Sequence, residues 1–145
     1  MRYGRVTLAM TLLVLMGFTG TRAQNLGVKD GSLAPCPNSP NCVSTQAADA
    51  KHAIAPLTYT STQAEALRRL IEIIHSLPRT RVVSDTADYL HVTFTSALFR
   101  FVDDVEFYFD DARKTIHFRS ASRLGYSDLG VNRKRMEDIR RRFQQ

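Results

Sequence analysis

Two runs of alternating apolar residues face each other across the polar segment Asp110-Asp111-Ala112-Arg113-Lys114, and few folds can accommodate them. From Phe99 the odd positions read Phe99, Phe101, Asp103, Val105, Phe107 and Phe109, while Glu106 and Tyr108 point the other way. Beyond the polar segment, Ile116 and Phe118 alternate with His117 and Arg119. A side-chain period of two is that of a strand with one face in a core, and the short polar connection makes the pair a hairpin. Pairing Phe109 with Ile116 sets Phe107 opposite Phe118, Glu106 opposite Arg119, Tyr108 opposite His117 and Asp103 opposite Ser122. Both faces then make chemical sense. Asp103 is the one charge in an otherwise apolar row.

The rest of the chain supplies what such a hairpin needs to bury. Thr62-x-x-Glu65 is a capping box, and Leu67, Leu70, Ile71 and Ile74 recur at helical spacing until Pro78. Arg81 to Asp85 and Tyr89 to Ser96 read as strands, with Leu90, Val92 and Phe94 alternating against His91, Thr93 and Thr95. A C-terminal helix starting at Ser127 or Asp128 places Leu129, Met136, Ile139 and Phe143 near one face; Asn132 is the alternative cap. The expected fold is therefore α+β: a twisted antiparallel sheet with helices packed on one face over residues 61–145, preceded by an extended Pro-rich arm at 24–60. Arm and core are expected to form a single domain.

Residues 1–23 read as a signal peptide. Arg2 and Arg5 precede the uncharged run Val6 to Phe18, 13 residues long, followed by the small side chains of Thr21 and Ala23. A bilayer span needs about 20 apolar residues, so the run is short for a permanent anchor. The expected location is periplasmic or extracellular, with membrane contact only through an uncleaved leader. Cys36 and Cys42 are the only cysteines, in Pro35-Cys36-Pro37-Asn38-Ser39-Pro40-Asn41-Cys42, and export makes a disulfide the expected state. Redox pairs are normally spaced C-x-x-C, and zinc would need more ligands than these two and Asp49 or His52. No metal and no cofactor are expected.

The net charge of +6 includes Arg2, Arg5 and Arg22 of the leader, and the remaining excess is concentrated at the C-terminus. There Arg133, Lys134, Arg135, Arg140, Arg141 and Arg142 stand against Glu137 and Asp138. Basicity confined to one helix is not the spread, aromatic-laced surface of a nucleic-acid reader, and no nucleic-acid partner is expected. The polar segment Arg119 to Arg133 sits where a strand meets the last helix, so its arginines and hydroxyls adjoin a helix N-terminus. That combination suits phosphate, sulfate or carboxylate. The candidate ligand-binding residues are Asp103, Arg119, Ser120, Ser122, Arg123, Tyr126, Ser127, Asn132 and Arg133. The competing reading is a structural ion network in which Arg119 pairs with Glu106, and Arg123 or Arg133 neutralises Asp103 or Asp104.

Three blocks, Pro35 to Ser44, Phe99 to Glu106 and Arg119 to Arg135, together resemble the domain of unknown function family number 1499, found in exported and membrane-associated proteins. The resemblance covers about Leu33 to Phe143. It implies no established activity or cofactor, and it adds weight, without a role, to Asp103, Asp104, Glu106, Arg119, Ser120, Ser122 and Arg123, and to Gly125, Tyr126, Asp128, Asn132 and Arg133.

The function expected is a non-enzymatic envelope accessory or binding module taking a small anionic ligand or an acidic protein surface. The alternatives are a purely structural protein-interaction domain or a hydrolase using Ser122 or Ser127, with His117 or His91 as base and Asp103 as orienter. No G-x-S-x-G turn is present, and both histidines alternate away from Asp103 and Ser122, as surface strand residues would. A glycosidase pair drawn from Asp103, Asp104 and Glu106 conflicts with the arginines expected beside them.

Overall fold

The hairpin forms in the expected register. In the computed structural model, which describes residues 25–145, strand β7 (Val102–Asp110) pairs antiparallel with β8 (Thr115–Ser122). Phe109 is opposite Ile116, Phe107 opposite Phe118, Glu106 opposite Arg119, Tyr108 opposite His117 and Asp103 opposite Ser122. The leader assigned to residues 1–23 lies outside the described residues. No helix among the described residues is long and apolar enough to cross a membrane.

Upstream, β5 (Thr80–Asp85) and β6 (Tyr89–Thr95) continue the meander, so β5 through β8 are each antiparallel to the next. The arm does more than lie over the sheet. Its segments β3 (Cys42–Ser44) and β4 (Leu57–Thr58) both pair with β8 and complete a six-stranded sheet. A two-stranded ribbon, β1 (Val28–Lys29) with β2 (Ser32–Leu33), precedes them. The Cys36–Cys42 disulfide closes the loop that leads into β3.

Both helices cover one face. Helix α1 (Gln63–His75) has the full capping box at Thr62 and Glu65, and it buries Ala66, Leu70 and Ile74, with Leu67 and Ile71 partly buried. Helix α2 (Val131–Phe143) buries Met136, Ile139 and Phe143. Between them and the sheet lie Leu90, Val92, Val105, Phe107, Ile116 and Phe118, all fully buried. One α+β core results.

Two expectations about element boundaries need correction. Phe99 and Phe101 do not extend β7 inward; they are 69% and 52% exposed. The last rung between β6 and β7 is Thr95 with Val102, and Ser96 closes the connection by donating its N–H to the Phe101 carbonyl and accepting the Phe101 N–H on Oγ. A strand without a partner strand has nowhere to continue. Likewise α2 starts neither at Ser127 nor at Asp128, and Asn132 is not its cap. Gly130, at φ +78°, occupies the cap position without a side-chain bond, and Asp128 stands in from upstream by accepting the Gly130 and Asn132 N–H groups. Leu129 is left 94% exposed rather than on the buried face.

Phe107 and Phe99 differ by burial, not chemistry, so their truncation should separate cleanly. Phe107→Ala is expected to cost about 3–5 kcal/mol, because it opens a cavity at the centre of the core. Phe99→Ala should stay within about 0.5 kcal/mol, as exposed substitutions do. Urea unfolding of both variants measures the difference.

Candidate functional site

Alternation along β7 sends its carboxylates to opposite sides of the sheet. Asp103 points toward the helices, where Arg135 donates to Oδ2 at 2.6 Å while its guanidinium stacks 4.5 Å above the Phe94 ring. Arg135 also reaches the Asn132 carbonyl oxygen at 3.0 Å. Fully buried Asn132 accepts from Ser120 Oγ and donates to Ser122 Oγ at 2.9 Å and to Asp128 Oδ2 at 2.8 Å. These groups form a knot that fastens α2 to β8.

Asp104 and Glu106 point to the other face, which is buried and polar. Glu106 is fully buried and accepts from Tyr89 Oη at 2.8 Å and from the Gly27 N–H at 2.7 Å; Arg119 Nη1 lies 3.4 Å from its other oxygen. Burial, followed by the Glu106 charge and hydrogen bond, pushes the Tyr89 hydroxyl above its ordinary range. Arg119 Nε is buried with no hydrogen-bond partner. Asp104 takes the Arg123 fork, Nε at 2.8 Å and Nη2 at 2.9 Å, and His91 Nε2 lies 2.8 Å from its Oδ1. Burial alone would raise this carboxyl, but the bonds and charges of His91 and Arg123 outweigh it and hold Asp104 below the usual aspartate range. His91 is thus buried, not a surface strand residue.

Arg119, Arg123 and Arg133 do not converge. The first two serve different carboxylates, and Arg133 donates to the main-chain carbonyls of Ala53 and Lys51. Tyr126 is exposed, and Ser127 Oγ accepts the Leu129 N–H. The residues weighed for a hydrolase stay apart: Ser122 is bound to Asn132, His91 lies beside Asp104, and His117 Nδ1 is 3.3 Å from Thr45 Oγ1. Cys36 and Cys42 are joined with sulfurs 2.06 Å apart.

Arg123 instead leads to a different concavity. It lines a cleft of about 490 Å³ together with Arg79, Arg81, Arg100, Thr93 and Thr95. The register explains the grouping: Arg81 pairs with Thr93 and Thr93 with Asp104, so all three share one row on the second face. Arg79 is tied down through Nε to the Thr95 carbonyl at 3.0 Å. Arg79 and Arg100 both hold φ of +57°, a left-handed backbone that non-glycine residues seldom adopt. Among the described residues, Arg79, Arg81 and Arg100 make no ion pair with a carboxylate. Sequence reasoning missed these three because Arg79 and Arg81, at the start of β5, meet Arg100, in the β6–β7 connection, only through strand pairing. The usable signal was the polar row of β6, whose Thr93 and Thr95 had to face something.

Asp104→Asn should cost about 3–5 kcal/mol at pH 7, since it breaks a buried pair and strands Arg123. Because the folded carboxyl titrates below its unfolded value of about 3.9, its contribution is present above that pH and is lost as pH falls through the folded value. Urea titrations across pH 5 to 2.5 should therefore show a shallower acid loss in the variant than in the native protein.

Residues 32–143 match the family described as "Protein of unknown function (DUF1499)". No curated protein and no solved structure matches the chain. With that match running from the arm's β2 to the last residue of α2, the chain belongs to the DUF1499 family.

Proposed function

We propose that the domain is a non-enzymatic binding module for an oxyanion, working in an exported or envelope setting, with the arginine cleft as its site. One observation carries this reading: four arginines line one cleft, and among them only Arg123 is matched to a carboxylate. Clustered cations repel one another, so an unliganded protein gains nothing from holding them together. Their planar forks suit phosphate, sulfate or carboxylate oxygens, and Thr93 and Thr95 supply hydroxyls for the remaining lone pairs. The disulfide at Cys36–Cys42 is consistent with an oxidising compartment. Of the residues nominated from sequence, Arg123 keeps a ligand role in this proposal; Asp103, Ser120, Ser122 and Asn132 hold α2 in place.

The test is thermal unfolding against phosphate, sulfate and small carboxylates. At ten times Kd, the preferred anion should raise the melting temperature by about 5 °C, and added sodium chloride should erode the gain. Arg81→Ala/Arg100→Ala should abolish the gain while leaving the unliganded melting temperature nearly unchanged, because neither side chain has a carboxylate partner to lose. Absence of any gain across the panel would refute the reading. Arg123→Ala is the poorer probe, since it also strands Asp104.

A further inference from the structure

The cleft opens at one end of the sheet, and that end is also where the exposed apolar side chains gather. The connection from β6 to β7 and the segment from β8 to α2 both leave the sheet there, tied together by the Arg123 N–H donating to the Val102 carbonyl. Leu98, Phe99 and Phe101 stand on the first segment at 80%, 69% and 52% exposure, and Leu124, Tyr126 and Leu129 on the second. These large apolar side chains all stand in water. Phe99 and Phe101 stack with ring centres 5.6 Å apart, while Arg100 between them turns into the cleft through its left-handed backbone.

We infer that this end of the domain docks on an anionic lipid surface, the Leu98–Phe101 tip entering the headgroup layer and the cleft arginines taking lipid phosphates. The inference rests on the anion-binding reading of the cleft and names the source of its anion. Apolar tips beside uncompensated arginines are the composition of an interfacial contact: the tips gain by leaving water, and the cations by meeting negative headgroups. Charge argues for that occupant over a second copy, which would bring its own arginine cleft against this one. The acids of the same end are already engaged: Asp103 by Arg135, Asp104 by Arg123, and Asp128 by the N–H groups that open α2.

The chain contains no tryptophan, so Phe99→Trp creates a single reporter at the tip. In the full chain, its emission is expected to shift to the blue on adding phosphatidylcholine vesicles that contain phosphatidylglycerol, to be quenched by brominated lipid, and to be unchanged by phosphatidylcholine alone. Adding Arg81→Ala and Arg100→Ala should lower the partition coefficient about 25-fold, about fivefold for each charge removed. Leu98→Ser/Phe101→Ser in the same reporter should abolish the blue shift yet keep the melting-temperature gain with inorganic phosphate. If phosphate stabilises the protein but the tryptophan never shifts, the lipid inference falls and the anion-binding reading stands. Failure of both overturns both. A tip that stays in water while the protein sediments with vesicles places the contact elsewhere and also overturns the inference, as does an emission shift without vesicles that grows with protein concentration.

Discussion

Three carboxylates on the central strand β7, Asp103, Asp104 and Glu106, are buried, and much of the architecture follows from the need to compensate them. An isolated charge taken out of water costs several kcal/mol even after relaxation, so each must meet a cation or several donors. Asp103 takes Arg135 from α2, Asp104 takes Arg123 from the end of β8 together with His91, and Glu106 takes Tyr89, the Gly27 N–H and the more distant Arg119. Each pairing reaches a different part of the chain. The C-terminal helix, the β8 exit and the start of the arm are thereby referred to a single strand. Replacing such pairs by apolar residues can be neutral or stabilising, so their value lies in fixing position more than in net stability.

What could be read from sequence divides along the same line. The β7–β8 register was legible because both strands adjoin one turn, and a shift of one residue would have exposed Phe107 and Phe118. The capping box at Thr62 was legible because all its parts are local. The buried face of α2, Met136, Ile139 and Phe143, was legible too, but its start was not, because Asp128 caps from outside the helix and Gly130 takes the left-handed position. Arg135, not Arg133, meets Asp103, because two residues on a helix turn a side chain by about 200° and send Arg133 to the Ala53 and Lys51 carbonyls instead. The cleft was least legible of all. Its arginines come from the start of β5, the β6–β7 connection and the end of β8, and only tertiary pairing brings these together.

The arginines accordingly fall into two kinds. Arg135 is engaged by Asp103 in the interior, Arg119 lies buried with a single long contact to Glu106, and Arg133 is taken up by main-chain carbonyls. Arg123 belongs to both kinds. Guanidinium has five N–H donors, and Asp104 occupies two of those on Arg123, which leaves three on the side away from the carboxylate. Asp104 thus orients the fork while withdrawing only part of its capacity, much as a carboxylate behind a metal-bound histidine fixes the ring without competing for the metal. Arg79 is set similarly by the Thr95 carbonyl, through one donor.

That arrangement bears on what kind of anion the cleft would take under the binding proposal. Two of its four cations, Arg79 and Arg123, are positioned by side-chain bonds to the protein, and two, Arg81 and Arg100, have no ion-pair partner among the described residues. A fully rigid cage would select one small ion of fixed geometry; a fully mobile one would lose conformational entropy with every side chain it ordered. On the anion-binding proposal, the mixed case would suit a phosphate carried on a larger and variable body, the two bonded forks meeting the oxyanion and the other two whatever is attached. With Asp104 charged behind Arg123, the cleft's positive potential is tempered, and a proposed oxyanion would exchange more readily than in a cleft of four uncompensated cations.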